Sequence, residues 1–243
     1  MQKFINYGDI VFDIGANIGA FSIPFSKKVG IHGQVFSFEP QRFINKILGN
    51  NKSLNNLENI KIFNSGVGNK ESFLELNEID YSEHGNFGGI GLKEYYDNSL
   101  AAKVINNKKY KVKIIKLDEF LNLDKCDFVK IDVELMELDV LCGGKNFIEK
   151  FRPIMWIENH QVYPNEVNNF LLKNDYDCYW MVTKSFNESN YFINDINYYG
   201  ETYTTNTLAI PIERQKSDIE ESLEVYKIKD GFSKPIIKFD STC

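Results

Sequence analysis

The chain has 243 residues, 43% of them hydrophobic, and a formal net charge of −6. At roughly 150 residues per domain this length fits one large α/β domain with an appendage, and an aromatic content of 14% excludes a chain that is disordered throughout. The acidic balance weighs against a protein built to hold duplex DNA or structured RNA, which needs concentrated Lys and Arg.

In chain order, Asp9 to Ile14 (DIVFDI) is almost continuously apolar and predicts a strand buried on both faces. After Gly15 to Gly19, the spacing of Ile18, Phe21, Ser22 and Phe25 predicts a helix to about Lys28, kept short or bent by Pro24. Val35 to Glu39 is a second strand, and Pro40 to Asn56 a second helix with Phe43, Ile47, Leu48 and Leu54 on its inner side. Ile60 to Asn64 is a third strand. Val67 to Lys70 then turns the chain into the alternating Ser72 to Leu76, a hairpin-like detour. Glu78 to Asn107 lacks any sustained period and is expected to be a long loop, the candidate lid, with His84 to Gly89 as its glycine-containing stretch. Tyr110 to Leu117 is a half-buried strand, and Asp118 an N-cap for the turn that follows.

Phe128 to Val133 is a fourth buried strand, followed by a helix from Leu135 to Phe151 interrupted at Gly143-Gly144. Pro153 to Glu158 is a fifth strand, Val167 to Lys173 a helix, and Cys178 to Val182 and Thr207 to Pro211 are the last strand-like pieces. Alternating buried strands and helices predict a doubly wound α/β sheet, whose ligands bind at the carboxyl ends of the strands. Residues 1–211 are expected to form this domain, with 212–243 a tail packed on it. Ile10 to Phe25, the most hydrophobic early segment, is broken by Asp13 and Asn17, so no membrane span is expected. MQKFINYGD has no apolar core before its first acid, which makes the cytoplasm the expected compartment. Cys126, Cys142, Cys178 and Cys243 have no paired spacing and are expected to be ordinary thiols. The many asparagines, such as Asn168-Asn169, are put down to codon bias and carry no chemistry here.

The sharpest signal is Asp13-Ile14-Gly15-Ala16-Asn17-Ile18-Gly19, where the first strand meets the first helix. Gly15 allows a tight turn, Gly19 allows close helix packing, and the helix N-terminus is expected to offer unpaired amides to a ligand. A dinucleotide fingerprint needs a second glycine where Asn17 stands, and a phosphate-binding P-loop needs a lysine that this segment lacks. Asp13 at the strand end suits a ligand with positive charge, such as the ammonium and sulfonium of S-adenosylmethionine. Glu39 ends the second strand at about the interval of ~20 residues at which a ribose-binding acid is expected.

These residues resemble a known family. VFDIGANIGAFS (Val11 to Ser22), VFSFEP (Val35 to Pro40), the Asn50 to Ile60 run, FVKIDVELMELDVLCGG (Phe128 to Gly144) and RPIMWIEN (Arg152 to Asn159) are similar to the FkbM-type branch of class I S-adenosylmethionine-dependent methyltransferases. The resemblance covers about Asp9 to Asn159. It implies a Rossmann-like, mostly parallel sheet flanked by helices, S-adenosylmethionine as methyl donor with S-adenosylhomocysteine as product, and O-methylation of a sugar or other small molecule. Carried over, it assigns Asp13, Gly15, Ala16, Asn17 and Gly19 to the methionine part, Glu39 to the ribose, and Ser65 and Gly66 to the adenine region. Leu135 stands where the family pattern has glycine, and the region before the first strand is short.

Methyl transfer is an in-line displacement, so the enzyme aligns donor and acceptor and removes the acceptor's proton. The fourth and fifth strand ends present Lys130, Asp132 and Glu134, then Glu158, Asn159 and His160. Asp132 is the first choice for contact near the sulfonium or acceptor, with Glu134, Glu158 and His160 as bases or orienting groups. The same four side chains could hold a divalent metal; spacing does not demand one, and metal independence is expected. The expected partner is a small-molecule or glycan acceptor, with no nucleic acid and no membrane. N-methylation, nucleic-acid methylation and donor binding without catalysis remain the alternatives.

Overall fold

The computed structural model describes residues 1–82, 104–160, 165–188, 190, 193–214, 223 and 226–235. The chain divides into two compact units, Met1–Trp156 and Ile157–Cys243.

The first unit carries, in order, β1 (Ile10–Ile14), α1 (Ser22–Val29), β2 (Gln34–Phe38), α2 (Arg42–Leu54), β3 (Ile60–Phe63), β4 (Ser65–Val67), β5 (Ser72–Ile79), β6 (Val104–Ile115), a 3-10 turn (Leu117–Phe120), β7 (Phe128–Ile131), α3 (Glu137–Gly143) and α4 (Lys145–Phe151). β1, β2, β3 and β7 are parallel in the order β3-β2-β1-β7. β8 (Ile154–Glu158) begins beside β7, and the unit boundary falls within it. This is a mostly parallel sheet flanked by helices, as the strand–helix alternation predicts.

Side chains alternate across a strand, and β1 uses its two faces differently. Phe12 stacks on Phe36 and Phe38 with ring centroids 4.8 and 5.7 Å apart, and meets Phe120 and Phe147 edge-on. Asp13 lies on the other face, in register with Ser37 of β2 and Lys130 of β7. There α1 covers it: Ser22 donates to Asp13 Oδ2 at 2.5 Å, and Phe25 packs on Phe128. One face of β1 and β2 carries a cluster of phenyl rings, while the other holds a polar row under a helix.

Several elements differ from expectation. α1 starts only at Ser22, because Gly19 holds φ +94°, outside the helical region. Pro24 is its third residue, where a missing N–H costs no intrahelical bond, so the helix accommodates it. In α2 the buried positions are Ile44 and Leu48. Leu54, the last residue of the helix, is 80% exposed, and Phe43 turns away from the sheet to stack on Tyr81 at 4.3 Å. The detour after β3 is not a hairpin of adjacent strands. β6 lies between the other two, parallel to β4 and antiparallel to β5, giving a second sheet in the order β4-β6-β5.

The expected loop is also shorter than Glu78 to Asn107, because β5 runs through Ile79 and β6 begins at Val104, a pair in register. The His84 to Gly89 stretch lies outside the described residues. Asp118 caps a different helix from the one expected: its carboxylate accepts from Phe147 N and Asn146 Nδ2 in the first turn of α4, at 2.9 and 2.8 Å.

The second unit continues from the end of β8 into α5 (Glu166–Lys173), β9 (Tyr176–Lys184), β10 (Tyr203–Pro211) and β11 (Lys227–Ile228). β9 and β10 form an antiparallel ribbon from Tyr176↔Pro211 to Lys184↔Tyr203, and β11 adds to the free edge of β9. Residues beyond 211 therefore supply an edge strand. Among the described residues, no helix is long and apolar enough to cross a membrane.

Candidate active site

The glycine turn follows β1 directly. Gly15 holds φ +79°, and a Cβ there would lie 1.8 Å from the carbonyl oxygen of Asp132, so the turn is pressed against the end of β7. Asn17 also takes a positive φ of 49°, a conformation asparagine tolerates, which is how this turn works without a second glycine. The amides differ from expectation. Gly15 N and Ala16 N both donate to Phe38 O, Asn17 N donates to Glu39 Oε2, Ile18 N donates to Asn17 Oδ1 and Gly19 N donates to Ala16 O. The turn spends its N–H groups on β2 and on itself, so it is not a nest of free donors for a pyrophosphate.

Carboxylates dominate what remains. Glu39 is buried, with one oxygen on Asn17 N at 2.9 Å and the other on Gln41 N at 2.8 Å. Burial pushes its carboxyl up to about 7, against the pull of those two amides and of the Lys130 ammonium. Asp13 is fully buried; beyond the Ser22 bond, its second oxygen stands 3.5 Å from Lys130 Nζ. Ser37 donates to Ser22 at 2.8 Å and extends this chain to β2.

Lys130 is the residue that the sequence placed at the strand end without assigning it a role. Its ammonium, only 4% exposed, donates to Gly15 O at 2.9 Å, lies 3.2 Å from Asp132 Oδ2, and sits 5.2 Å from the centroid of the Phe21 ring. Burial alone would lower its pKa, but Asp13 and Asp132 outweigh burial and raise it, so the ammonium stays charged. With Glu39 also feeling this charge, one ammonium stands among three carboxylates, and the group is net negative when all are ionised. Asp132 is the carboxylate of its pair with Lys130 that reaches solvent, at 36%.

Ser65 and Gly66 open β4 and are buried. Ser65 Oγ has no hydrogen-bond partner among the described residues, an orphaned hydroxyl of the kind a bound polar group satisfies. After Asp132, Glu134 and Leu135 take φ values of 51° and 70°. Leu135 thus adopts the left-handed backbone that glycine favours.

In the second unit, Glu158 ends β8 and its Oε2 lies 3.3 Å from His160 Nε2, so these two expected site residues are brought together. Between them, Asn159, which the sequence placed at this strand end without a role, is buried in a network that includes Asn168, one of the asparagines put down to composition. Its Nδ2 donates to Thr207 Oγ1 at 2.8 Å and to Asn168 Oδ1 at 3.1 Å, while its Oδ1 accepts from Asn165 Nδ2 at 2.5 Å. Asn165 in turn caps α5 by accepting from Asn168 N at 2.9 Å. The available signal was position: an amide directly after an apolar strand, followed by two more around a helix start.

Residues 13–178 match the family described as the methyltransferase FkbM domain. The chain belongs to the FkbM methyltransferase domain family. A curated relative, Methyltransferase 1 of Beauveria bassiana (strain ARSEF 2860), is 27% identical over 146 residues, which are 55% of this chain and 57% of the relative. The chain therefore spans little more than half the length of that relative. The crystal structure of methyltransferase FkbM from Methylobacillus flagellatus KT superposes with a TM-score of 0.51 at 16% identity, over 82% of this chain and 43% of that one. A SAM-dependent methyltransferase from Aquifex aeolicus matches with a TM-score of 0.44 at 14% identity, over 86% and 85%. The fold is that of the class I methyltransferases. Within the FkbM match lie the glycine turn, Glu39, Lys130, Asp132 and Glu158.

Proposed function

We propose that this FkbM domain transfers a methyl group from S-adenosylmethionine to a hydroxyl of a sugar or other small molecule. The observation that carries the donor assignment is the charge at the β1 and β7 ends: a glycine turn with its amides spent, facing Asp13, Glu39 and Asp132 around one ammonium. Such a site favours a cation over a phosphate. Glu39 would hold the ribose hydroxyls, since each of its oxygens keeps a lone pair beyond its backbone bond. Ser65 Oγ would receive a polar edge of the adenine, and Asn17 with the turn would border the methionine part. When bound, the donor supplies an activated methyl on a sulfonium and leaves as a neutral thioether.

The chain's own task is then to align the acceptor and take its proton. His160 is our candidate base, with the Glu158 carboxylate orienting its ring at 3.3 Å; Asp132 and Glu134 would orient the acceptor. We place the reaction in the cytoplasm, independent of metal and of nucleic acid. The test is release of S-adenosylhomocysteine against a panel of hydroxylated sugars and metabolites, with and without chelator. Turnover that survives chelation and falls roughly a hundredfold or more in His160→Ala, at unchanged donor affinity, is the expected result. Turnover confined to amines or RNA, or donor binding without turnover on any acceptor, contradicts it.

A further inference from the structure

We infer that Lys130 is the positioning residue that ties the glycine turn to Asp132, setting the shape of the donor pocket as well as neutralising Asp13. The inference rests on the donor reading above. A buried ammonium has three N–H donors to satisfy, and the acceptors it finds decide what it holds together. Lys130 instead divides its ammonium among Asp13 Oδ1 at 3.5 Å, Asp132 Oδ2 at 3.2 Å and a backbone oxygen, Gly15 O, at 2.9 Å, its shortest contact of the three. The three acceptors come from the two strand ends on either side of the turn, since Gly15 and Asp13 belong to β1 and its exit and Asp132 to the exit of β7. Gly15 is also the residue whose missing Cβ lets the turn lie on Asp132 O. The strand register explains why lysine serves here: Lys130 pairs with Asp13 across β1 and β7, and its four-carbon stem carries the ammonium from that row to the peptide two residues further on.

The double substitution Asp13→Asn with Lys130→Met separates the two roles. It deletes one acid and one base, so the net charge facing the ligand is unchanged and no buried charge is stranded, but the bond to Gly15 O and the hold on Asp132 are lost. The expected result is a folded protein whose affinities for S-adenosylmethionine and S-adenosylhomocysteine, read by calorimetry, both fall by about tenfold or more, the effect of one hydrogen bond to a charged group. Exchange of the Gly15, Ala16 and Asn17 amides should accelerate at the same time. Turn exchange equal to wild type would overturn the inference and leave Lys130 a counter-ion, because the loss of Asp13 lowers donor affinity on either reading. If the wild-type protein binds neither ligand, the donor reading fails instead.

The wild-type protein also gives an answer that needs no variant to fold. The Lys130 ammonium should appear in nitrogen-15 spectra as a signal protected from water exchange and correlated with the Gly15 carbonyl. An ammonium exchanging like a surface lysine would overturn the inference equally.

Discussion

The two units bury polarity at their strand ends in different currencies. In the first, ionisable groups lie under α1: Asp13 and Lys130 in one row, with Asp132 and Glu39 at the rim. In the second, the end of β8 is held by neutral amides and hydroxyls, Asn159, Asn165, Asn168 and Thr207, which bond to one another. A charged row is expensive to assemble, because each ion gives up its hydration and depends on its partners, but it leaves a field that a cationic ligand can use. An amide network carries little field. What it supplies is geometry, fixing the backbone between Glu158 and His160.

Breaking each region should therefore look different. The largest effect is expected from Asp13→Ala, which leaves the buried Lys130 ammonium beside a void with Asp132 as its remaining carboxylate: a loss of about 3–5 kcal/mol in denaturant unfolding, accompanied by loss of donor binding. Next comes Glu39. Its carboxyl holds a proton in the folded state up to about 7 but in the unfolded chain only to about its ordinary value of 4.5. The native state thus binds the extra proton between these limits, and stability falls as pH rises through that window, by on the order of 3 kcal/mol. Glu39→Gln should flatten that slope in paired unfolding curves at pH 5 and pH 8. Donor affinity should run the opposite way, weakening about tenfold from pH 8 to pH 6, because the ribose needs the ionised form.

In the second unit, Asn159→Ala should cost about 1–3 kcal/mol by leaving the buried Asn165 Nδ2 without its acceptor and Thr207 Oγ1 without one of its donors. Its signature should be a lower turnover at unchanged donor affinity, the reverse of the Asp13 result. The smallest effect is expected from the surface pair Arg42–Glu78 at 3.3 Å, where Glu78→Gln should cost less than about 1 kcal/mol and leave both affinity and turnover alone.

Much of the first unit could be read from sequence because its signals are local. DIVFDI and FVKIDV have no other sensible state than buried parallel strands, and a glycine turn between a strand and a helix has few uses. The misplaced parts all depended on long-range partners. Phe43 joined the inner side of α2 on helical spacing alone, while its actual partner, Tyr81, comes after β5. β4 and β5 suggested a hairpin because the strand that separates them arrives only at Val104. The turn amides were expected to be free because Phe38 O and the Glu39 carboxylate, which take them, lie at the end of β2 and just beyond it. The Asn159 network was hidden by composition, since a chain rich in asparagine offers no contrast between a surface amide and a buried one.

Titration calorimetry of the full chain with S-adenosylmethionine, with NAD as the competing ligand, bears most directly on the reading of the charged strand end. The account predicts donor binding that clearly exceeds NAD binding and weakens about tenfold or more in Glu39→Ala, which removes the carboxylate that would hold the ribose. Tighter binding of NAD, or donor binding indifferent to Glu39, would contradict it.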